Sequence, residues 1–302
     1  MKRIATIGMF DGVHEGHKQI LRRLRREAEE RGMEAVVVTF DRHPREVTHE
    51  GGAALRLLNS HEERMGLIDA YSKGARREVI AFTRDKAEMT ACEFFERYLC
   101  EELEIGALLM GHDNSFGSKA RDDSGRLPEV AAERGVVLLR EEALQIGGDT
   151  VSSTLIRRNI ESGEVERAKQ LLGYAYGIGG QVSEGRKVGR SLGFPTANIV
   201  LDDPQKLLPR EGVYAVRAEI DGVIHNGIAN LGGQPTFGQG QRVLEVHLTD
   251  FGGDLYGKEM RTTFHYRMRD TKRFENVEAL KEQIKKDEQE AQRLLLHEED
   301  EK

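Results

Sequence analysis

The chain has 302 residues, with 52 acidic and 45 basic side chains, a net charge of −7, 38% hydrophobic residues and two cysteines. That length holds two domains that each bury a core, and the acidic balance excludes a protein that works by wrapping a nucleic-acid backbone, which needs a basic surface. No apolar run approaches the roughly 20 residues that span a bilayer, and Gly8 and Asp11 interrupt the run after Lys2 and Arg3 before it can act as a secretory leader. The expectation is a cytoplasmic protein without a membrane or nucleic-acid partner.

Ile4 to Ile7 reads as a buried strand, followed by the turn Phe10-Asp11-Gly12-Val13-His14-Glu15-Gly16-His17 and an amphipathic helix starting near Lys18. The helix buries Ile20, Leu21, Leu24 and Ala28, which leaves Arg22, Arg23, Arg25 and Arg26 as a solvated face. At the carboxyl end of a strand, the free N–H groups and dipole of the next helix suit an anion such as phosphate. Gly8, Gly12 and Gly16 let backbone approach a ligand closely, and His14 and His17, three apart, project from one side of the first turn as donors. A metal site is a competing reading, although helical zinc pairs are spaced i, i+4; a plain structural turn is another.

Ala35 to Phe40 is a second buried strand, ending in Asp41-Arg42-His43-Pro44, which either shapes the same ligand edge or simply turns the chain. A helix over 61–70 and a strand over 79–83 follow. Thr90 and Glu93 have capping-box spacing ahead of a helix with Phe94, Phe95, Tyr98 and Leu99 on one face. Cys92 and Cys100 fall in that helix, roughly 12 Å apart along its axis, too far for a disulfide. A strand at 107–110 leads into Gly111-His112-Asp113-Asn114-Ser115-Phe116-Gly117, and 136–139 is a further strand. Ser152-Ser153-Thr154-Leu155-Ile156-Arg157 opens a helix whose hydroxyls and arginine suit either a phosphate chain or an ordinary cap, and 164–172 is a helix closed by Gly173. Strands alternating with helices mean a doubly wound parallel α/β sheet.

From Tyr176 that rhythm stops. Gly212 to Ile220 and Val223 to Asn230 flank Asp221-Gly222, a hairpin signal, and 243–249 and 260–266 alternate as strands do. A small β-barrel is expected, closed by a long helix capped by Asn276 and carrying Val277, Leu280, Ile284, Ala291 and Leu295 on its buried stripe. Glu298 to Lys302 reads as a frayed acidic tail. The chain therefore divides into domains 1–173 and 174–302.

One stretch of the second domain carries chemistry. In Gly185-Arg186-Lys187-Val188-Gly189-Arg190-Ser191-Leu192-Gly193-Phe194-Pro195-Thr196-Ala197-Asn198, glycines permit close approach, cations neutralise phosphate, and Thr196 and Asn198 offer hard oxygen ligands to Mg²⁺. The order is not that of a Walker A loop, and a basic glycine-rich surface turn is the alternative.

This stretch resembles the signature of riboflavin kinases, and Glu211-Gly212-Val213-Tyr214, Asn230-Leu231-Gly232, Pro235-Thr236-Phe237 and Leu244-Glu245-Val246-His247-Leu248 follow in that family's order. The motifs FDGVHEGH, TFDRHP, GHDNSFG and SSTLIR resemble the flavin-adenylylating branch of the HxGH nucleotidyltransferases. Nearly the whole chain is thus similar to bacterial bifunctional riboflavin kinase/FAD synthetases. The resemblance implies an α/β nucleotidyltransferase domain, then a β-barrel kinase domain with a C-terminal helix. It implies ATP as co-substrate, Mg²⁺ as cofactor, and riboflavin, FMN and FAD as the flavins handled.

By position, Glu245 matches the family's kinase base, Thr196 and Asn198 its Mg²⁺–ATP ligands, and Gly185, Gly189, Arg190 and Gly193 its phosphate wrap. His14 and His17 match the HxGH histidines that stabilise charge on ATP, with Gly8, Phe10, Asp11, Gly12 and Gly16 forming the nucleotide-binding turn. Ser152, Thr154 and Arg157 match a second phosphate-binding motif, Asp113 a nucleotide-side loop, and Phe116 and Arg269 flavin contacts. Departures stand at Met9, where the family often has Asn, at Asn114 in place of Phe, and at Thr271 in place of Glu. A kinase with a weakened or inactive adenylylating domain, and a flavin-binding sensor or carrier without turnover, are the rival readings. A carrier needs no base and no transition-state donors.

Overall fold

The computed structural model describes residues 2–48, 55–112, 116–183, 194–233, 242–249 and 251–300. Its contacts divide the chain into two compact units, Met1–Ser153 and Thr154–Lys302.

The first unit is built on β1 (Arg3–Ile7), α1 (Glu15–Arg31), β2 (Glu34–Phe40), α2 (Pro44–Thr48), α3 (His61–Ser72), β3 (Arg76–Ile80), α4 (Arg84–Glu88), α5 (Ala91–Phe94), β4 (Ile105–Met110), α6 (Leu127–Glu133) and β5 (Val137–Arg140). A short hairpin, β6 (Gln145–Ile146) and β7 (Asp149–Thr150), closes it. The five main strands lie in the order β3-β2-β1-β4-β5 and all pair in parallel. Because β2 and β3 lie to one side of β1 and β4 and β5 to the other, the sheet changes direction between β1 and β4. In open α/β sheets that crevice, at the carboxyl ends of the strands, takes the ligand.

Apolar side chains alternate between the two covered faces. Ile4, Val37, Ala107 and Leu109 meet Leu21, Leu24 and Ala28 of α1 and Met65 and Ile68 of α3. Ala5, Ile7, Val36, Val38 and Leu108 meet Phe94, Phe95, Leu99, Leu127 and Val130 on the other face. Of the arginines read as the solvated face of α1, Arg22, Arg25 and Arg26 are exposed, Arg25 and Arg26 pairing with Glu29 and Glu30 one turn on, whereas Arg23 is half-buried because it reaches the Glu141 carboxylate at 2.8 Å. Several boundaries move by a few residues, two of them for a plain local reason. Helix α1 starts at Glu15 rather than near Lys18 because His14 caps it. The edge strand runs over Arg76–Ile80 rather than 79–83, since its polar half, Arg76 and Arg77, pairs with Val36 and Val37. After α5 the helix continues over Phe95–Glu102 in π geometry, with Cys92 and Cys100 as free thiols.

The second unit holds α7 (Ser153–Ser162), whose first residue ends the first unit, then α8 (Val165–Leu172), β8 (Gly177–Ser183), β9 (Ala197–Leu201), β10 (Gly212–Ile220), β11 (Val223–Gly233), β12 (Arg242–Leu248), β13 (Glu259–Arg269) and α9 (Val277–Asp300). Six strands close a barrel in the order β10-β11-β12-β9-β8-β13. Tyr214, Val216 and Ala218 on β10 and Leu244, Val246 and Leu248 on β12 are buried at alternate positions, filling the interior as small barrels require. On the outer face, Ala215, Ile228, Tyr266 and Met268 pack against Ile284, Ala291 and Leu295 of α9. Asn276 caps that helix, accepting from the Ala279 amide at 2.8 Å.

The acidic tail does not begin at Glu298. That residue is buried, its carboxylate 2.6 Å from His265 Nδ1 and 3.5 Å from Arg217 Nη1, with Lys169 of α8 in contact. It lies three residues beyond Leu295 and seven beyond Ala291, on the helix stripe that faces the barrel, so burial overrides the charge of its neighbours. Removing one member of a buried ionic cluster strands the others. Glu298→Ala is therefore expected to cost about 3 kcal/mol, measured as a lowered denaturant midpoint for the second unit.

Candidate active sites

In the first unit, the turn after β1 is held in unusual backbone geometry. Gly12 has φ +86°, while Phe10 and Val13, which carry side chains, have φ +53° and +33°. Each such non-glycine residue costs on the order of 1–3 kcal/mol and persists only where its surroundings impose it. The surroundings here are polar anchors. The Asp11 carboxylate, 4% exposed, accepts from the amides of Leu58 at 3.1 and 3.3 Å and Asn59 at 3.2 Å. The Asp11 carbonyl accepts from Ser153 Oγ at 2.8 Å, and the Met9 carbonyl from Arg64 Nη1 at 3.0 Å. Asp11 thus serves the turn's shape with its side chain.

The turn delivers two histidines to the start of α1. His14 is the N-cap, its Nδ1 accepting from the His17 amide at 3.3 Å. That bond needs an unprotonated Nδ1 and leaves the ring proton on Nε2. The two rings stack, centroids 3.6 Å apart and 15° from parallel, and Phe10 meets His17 edge-on at 5.2 Å. A Cβ on Gly16 would sit 3.3 Å from the His14 ring, so a glycine there keeps the stack in place. Burial first, and the neighbouring His14 second, push the His17 pKa well below the usual 6.5.

Other residues singled out from the sequence fall as follows. Ser152 is half-buried just before α7, while Thr154 sits in that helix's first turn and Arg157 at the start of its second. Ser153, from the same run of hydroxyls, donates to the Asp11 carbonyl of the β1 turn. Phe116 rests against Phe94 with ring centroids 5.8 Å apart, at the margin of the core. The loop at Asp41 is structural in its contacts: the carboxylate accepts from the Phe82 amide at 2.8 Å, and α2 begins at Pro44. Asp113, Asn114, Gly185, Gly189, Arg190, Gly193 and the Pro235-Thr236-Phe237 motif lie outside the described residues.

In the second unit a cavity of about 540 Å³ opens on the outer face of the barrel beside α9. Its wall is a cross-strand row. Arg269 on β13 pairs with Val213 on β10, Val213 with Asn230 on β11, Asn230 with Glu245 on β12, and Glu245 with Asn198 on β9. All five line the cavity, joined by Thr196, Glu211 and His247. Asn198 is therefore a strand residue, although its motif reads as a loop.

The row is braced by α9. Arg269 makes a bidentate pair with Asp287, at 3.0 and 2.6 Å, and donates to the Asp270 carbonyl at 3.0 Å. His247 sets Nδ1 2.7 Å from the Pro195 carbonyl and Nε2 2.7 Å from the Glu288 carboxylate. His247, Asp287 and Glu288 were not legible as site residues; the signal available was the i, i+2 spacing of Glu245 and His247, which puts both on one strand face. Among the described residues, no cluster of three His, Cys, Asp or Glu side chains could hold a metal ion.

With this geometry in place, two family models match, FAD synthetase over residues 1–155 and riboflavin kinase over residues 172–295. A bifunctional riboflavin kinase/FMN adenylyltransferase of Pseudomonas fluorescens is 38% identical over 94% of this chain and 90% of its own length. Proteins of the same description from Haemophilus influenzae and Listeria monocytogenes are 36% and 34% identical, covering 93% and 99% of this chain and 91% and 95% of their own. A crystal structure described as a macrolide-efflux protein from Streptococcus pneumoniae superposes with a TM-score of 0.87 at 29% identity, over 96% of this chain and 94% of that one. Among the described residues of the present chain, no helix is long and apolar enough to cross a membrane. With those matches, the doubly wound sheet and the closed barrel are the two domains of a nucleotide-dependent transferase. The chain belongs to the family of bifunctional riboflavin kinase/FMN adenylyltransferases, ATP-dependent enzymes of flavin cofactor synthesis.

The His17 ring should stay neutral where an ordinary histidine is half protonated. Its folded pKa lies below the unfolded value near 6.5, so the unfolded chain takes up the proton first. Its contribution to stability is complete above about pH 6.5 and is lost as pH falls below that value. Ring-nitrogen NMR across pH 5–7 checks the first statement, and a weaker acid dependence of unfolding in His17→Asn the second.

Proposed function

We propose that the outer cavity of the barrel is where riboflavin is phosphorylated, and that the β1–α1 turn is where the resulting FMN is adenylylated. The observation that carries the first half is the cross-strand row holding Glu245 between Asn230 and Asn198. The riboflavin 5′-hydroxyl oxygen attacks the γ-phosphorus of ATP, its proton passes to the Glu245 carboxylate, and the bond to the bridging oxygen breaks to release ADP. Thr196 and Asn198 fit Mg²⁺ as a hydroxyl and an amide oxygen, few and neutral. Such a pair suits a cation that arrives on ATP phosphates and keeps waters of its own. Bound there, the ion would neutralise charge on the transferring phosphoryl group. The glycine-rich segment with Gly185, Gly189, Arg190 and Gly193 is assigned to the ATP phosphates, and Arg269, held by Asp287, to the flavin side.

Adenylylation asks for different groups. A phosphate oxygen of FMN is already anionic when it attacks the α-phosphorus and displaces pyrophosphate, so no base is needed. Donors are. His14 Nε2–H, the His17 ring and the amino end of α1 supply them, with Gly8, Phe10, Gly12 and Gly16 shaping the turn and Asp11 anchoring it. Asp113, Ser152, Thr154 and Arg157 are assigned to the nucleotide, and Phe116 to the flavin. The functional division is placed at Gly173, with adenylylation in 1–173 and phosphorylation in 174–302. The chain is assigned to the cytoplasm, with no nucleic-acid partner.

Glu245→Gln is expected to lower riboflavin phosphorylation about a hundredfold or more while sparing FMN adenylylation. His14→Ala should do the reverse, losing about 3 kcal/mol of transition-state stabilisation, with kinase activity in the same sample reporting that the chain is folded. Chromatographic separation of riboflavin, FMN and FAD reads both. Near-normal phosphorylation by Glu245→Gln would refute its assignment as the base.

A further inference from the structure

We propose that Arg64, which none of the motifs contains, is the positioning residue of the adenylylation site: it locks the carboxyl ends of β1 and β2 together and so holds the strained turn that presents His14. The proposal rests on the reading of that turn given above. Arg64 lies in the first turn of α3 and is 2% exposed. The helix is fixed by a capping box, Ser60 accepting from the Glu63 amide while the Glu63 carboxylate accepts from the Ser60 amide at 2.9 Å.

From there the guanidinium spans two strand ends. Nη1 donates to the Met9 carbonyl at 3.0 Å and Nη2 to the Phe40 carbonyl at 2.8 Å. Nη1 also lies 2.9 Å from the Met9 sulfur, and Nη2 3.2 Å from His61 Nδ1. Met9 thus has a contact of its own in this chain: its thioether lies against the cation that holds its carbonyl.

A surface salt bridge would not account for this placement. Among the described residues Arg64 forms no ion pair; it donates to two carbonyls and lies against a sulfur and an imidazole nitrogen that is itself 3.0 Å from the Asp41 carbonyl. Burial pulls its pKa down, offset at longer range by Asp11, Glu46 and Asp41. A buried guanidinium with only neutral contacts is costly, and what it gains here is the geometry of two carbonyls. The same short stretch supplies the second anchor, since the Leu58 and Asn59 amides hold Asp11. Residues 58–64 therefore grip the turn on both sides of Phe10, and the positive φ values of Phe10 and Val13 are what the grip imposes.

The test uses the full chain with ATP and FMN, then with ATP and riboflavin. The unsubstituted protein is assayed first: failure to convert FMN to FAD sinks the reading of the site itself, separately from the role of Arg64. Arg64→Met keeps the bulk but loses the fork and the charge; Arg64→Lys keeps the charge and one donor. Arg64→Met is expected to lower kcat for FAD formation at least tenfold with KM for ATP changed less than threefold, to leave riboflavin phosphorylation within twofold, and to speed hydrogen exchange of the Val13 amide. Arg64→Lys should recover part of the lost kcat. If Arg64→Met loses kinase activity as well, Arg64→Lys decides, with a several-fold kcat loss expected. FAD formation within twofold of the unsubstituted rate in Arg64→Lys, or in a folded Arg64→Met, overturns the proposal.

Discussion

Successive side chains of a strand point to opposite faces, and the chemistry proposed for the second unit depends on that constraint. Leu244, Val246 and Leu248 fill the barrel interior, so Glu245 and His247 are carried to the outside. Antiparallel pairing then sets Glu245 opposite Asn230 on one side and Asn198 on the other, with Val213 and Arg269 continuing the row. A register slip of one residue in β12 would send the carboxylate into the apolar interior. The core and the proposed base are therefore specified by the same pattern. Helix α9 adds the outer wall, tied at Arg269–Asp287 and at His247–Glu288.

The first unit meets a different demand by different means. Phosphorylation of riboflavin starts from a neutral hydroxyl, which must lose a proton, and a carboxylate on a rigid strand suits that. Adenylylation starts from an anion, which needs charge stabilisation, and a turn feeding a helix N-terminus suits that. The turn is strained where the strand row is not, and its anchors come from far along the chain: Leu58, Asn59, Arg64 and Ser153.

Much of this was legible in the sequence because the relevant patterns are short-range. Alternation and helical periodicity identified both folds, the capping residue Asn276 and the stripe of α9, and the order of motifs gave the family. What escaped was long-range or context-dependent. Glu298 looked like tail because its neighbours are charged, yet its position on the helix stripe buries it. Asn198 looked like loop because glycines precede it, yet it pairs with Glu245. Arg64 lies 55 residues from its partner Met9, a separation over which local spacing carries no information.

On the proposed assignment, one chain carries two separate sites whose reactions run in series. The direct measurement is complementation in trans: Glu245→Gln and His14→Ala proteins, each unable to turn riboflavin into FAD at an appreciable rate, are mixed and supplied with riboflavin, ATP and Mg²⁺. The mixture is expected to accumulate FAD, because FMN made by the second unit of one protein is adenylylated by the first unit of the other. A mixture that stays as inactive as its components would contradict the assignment.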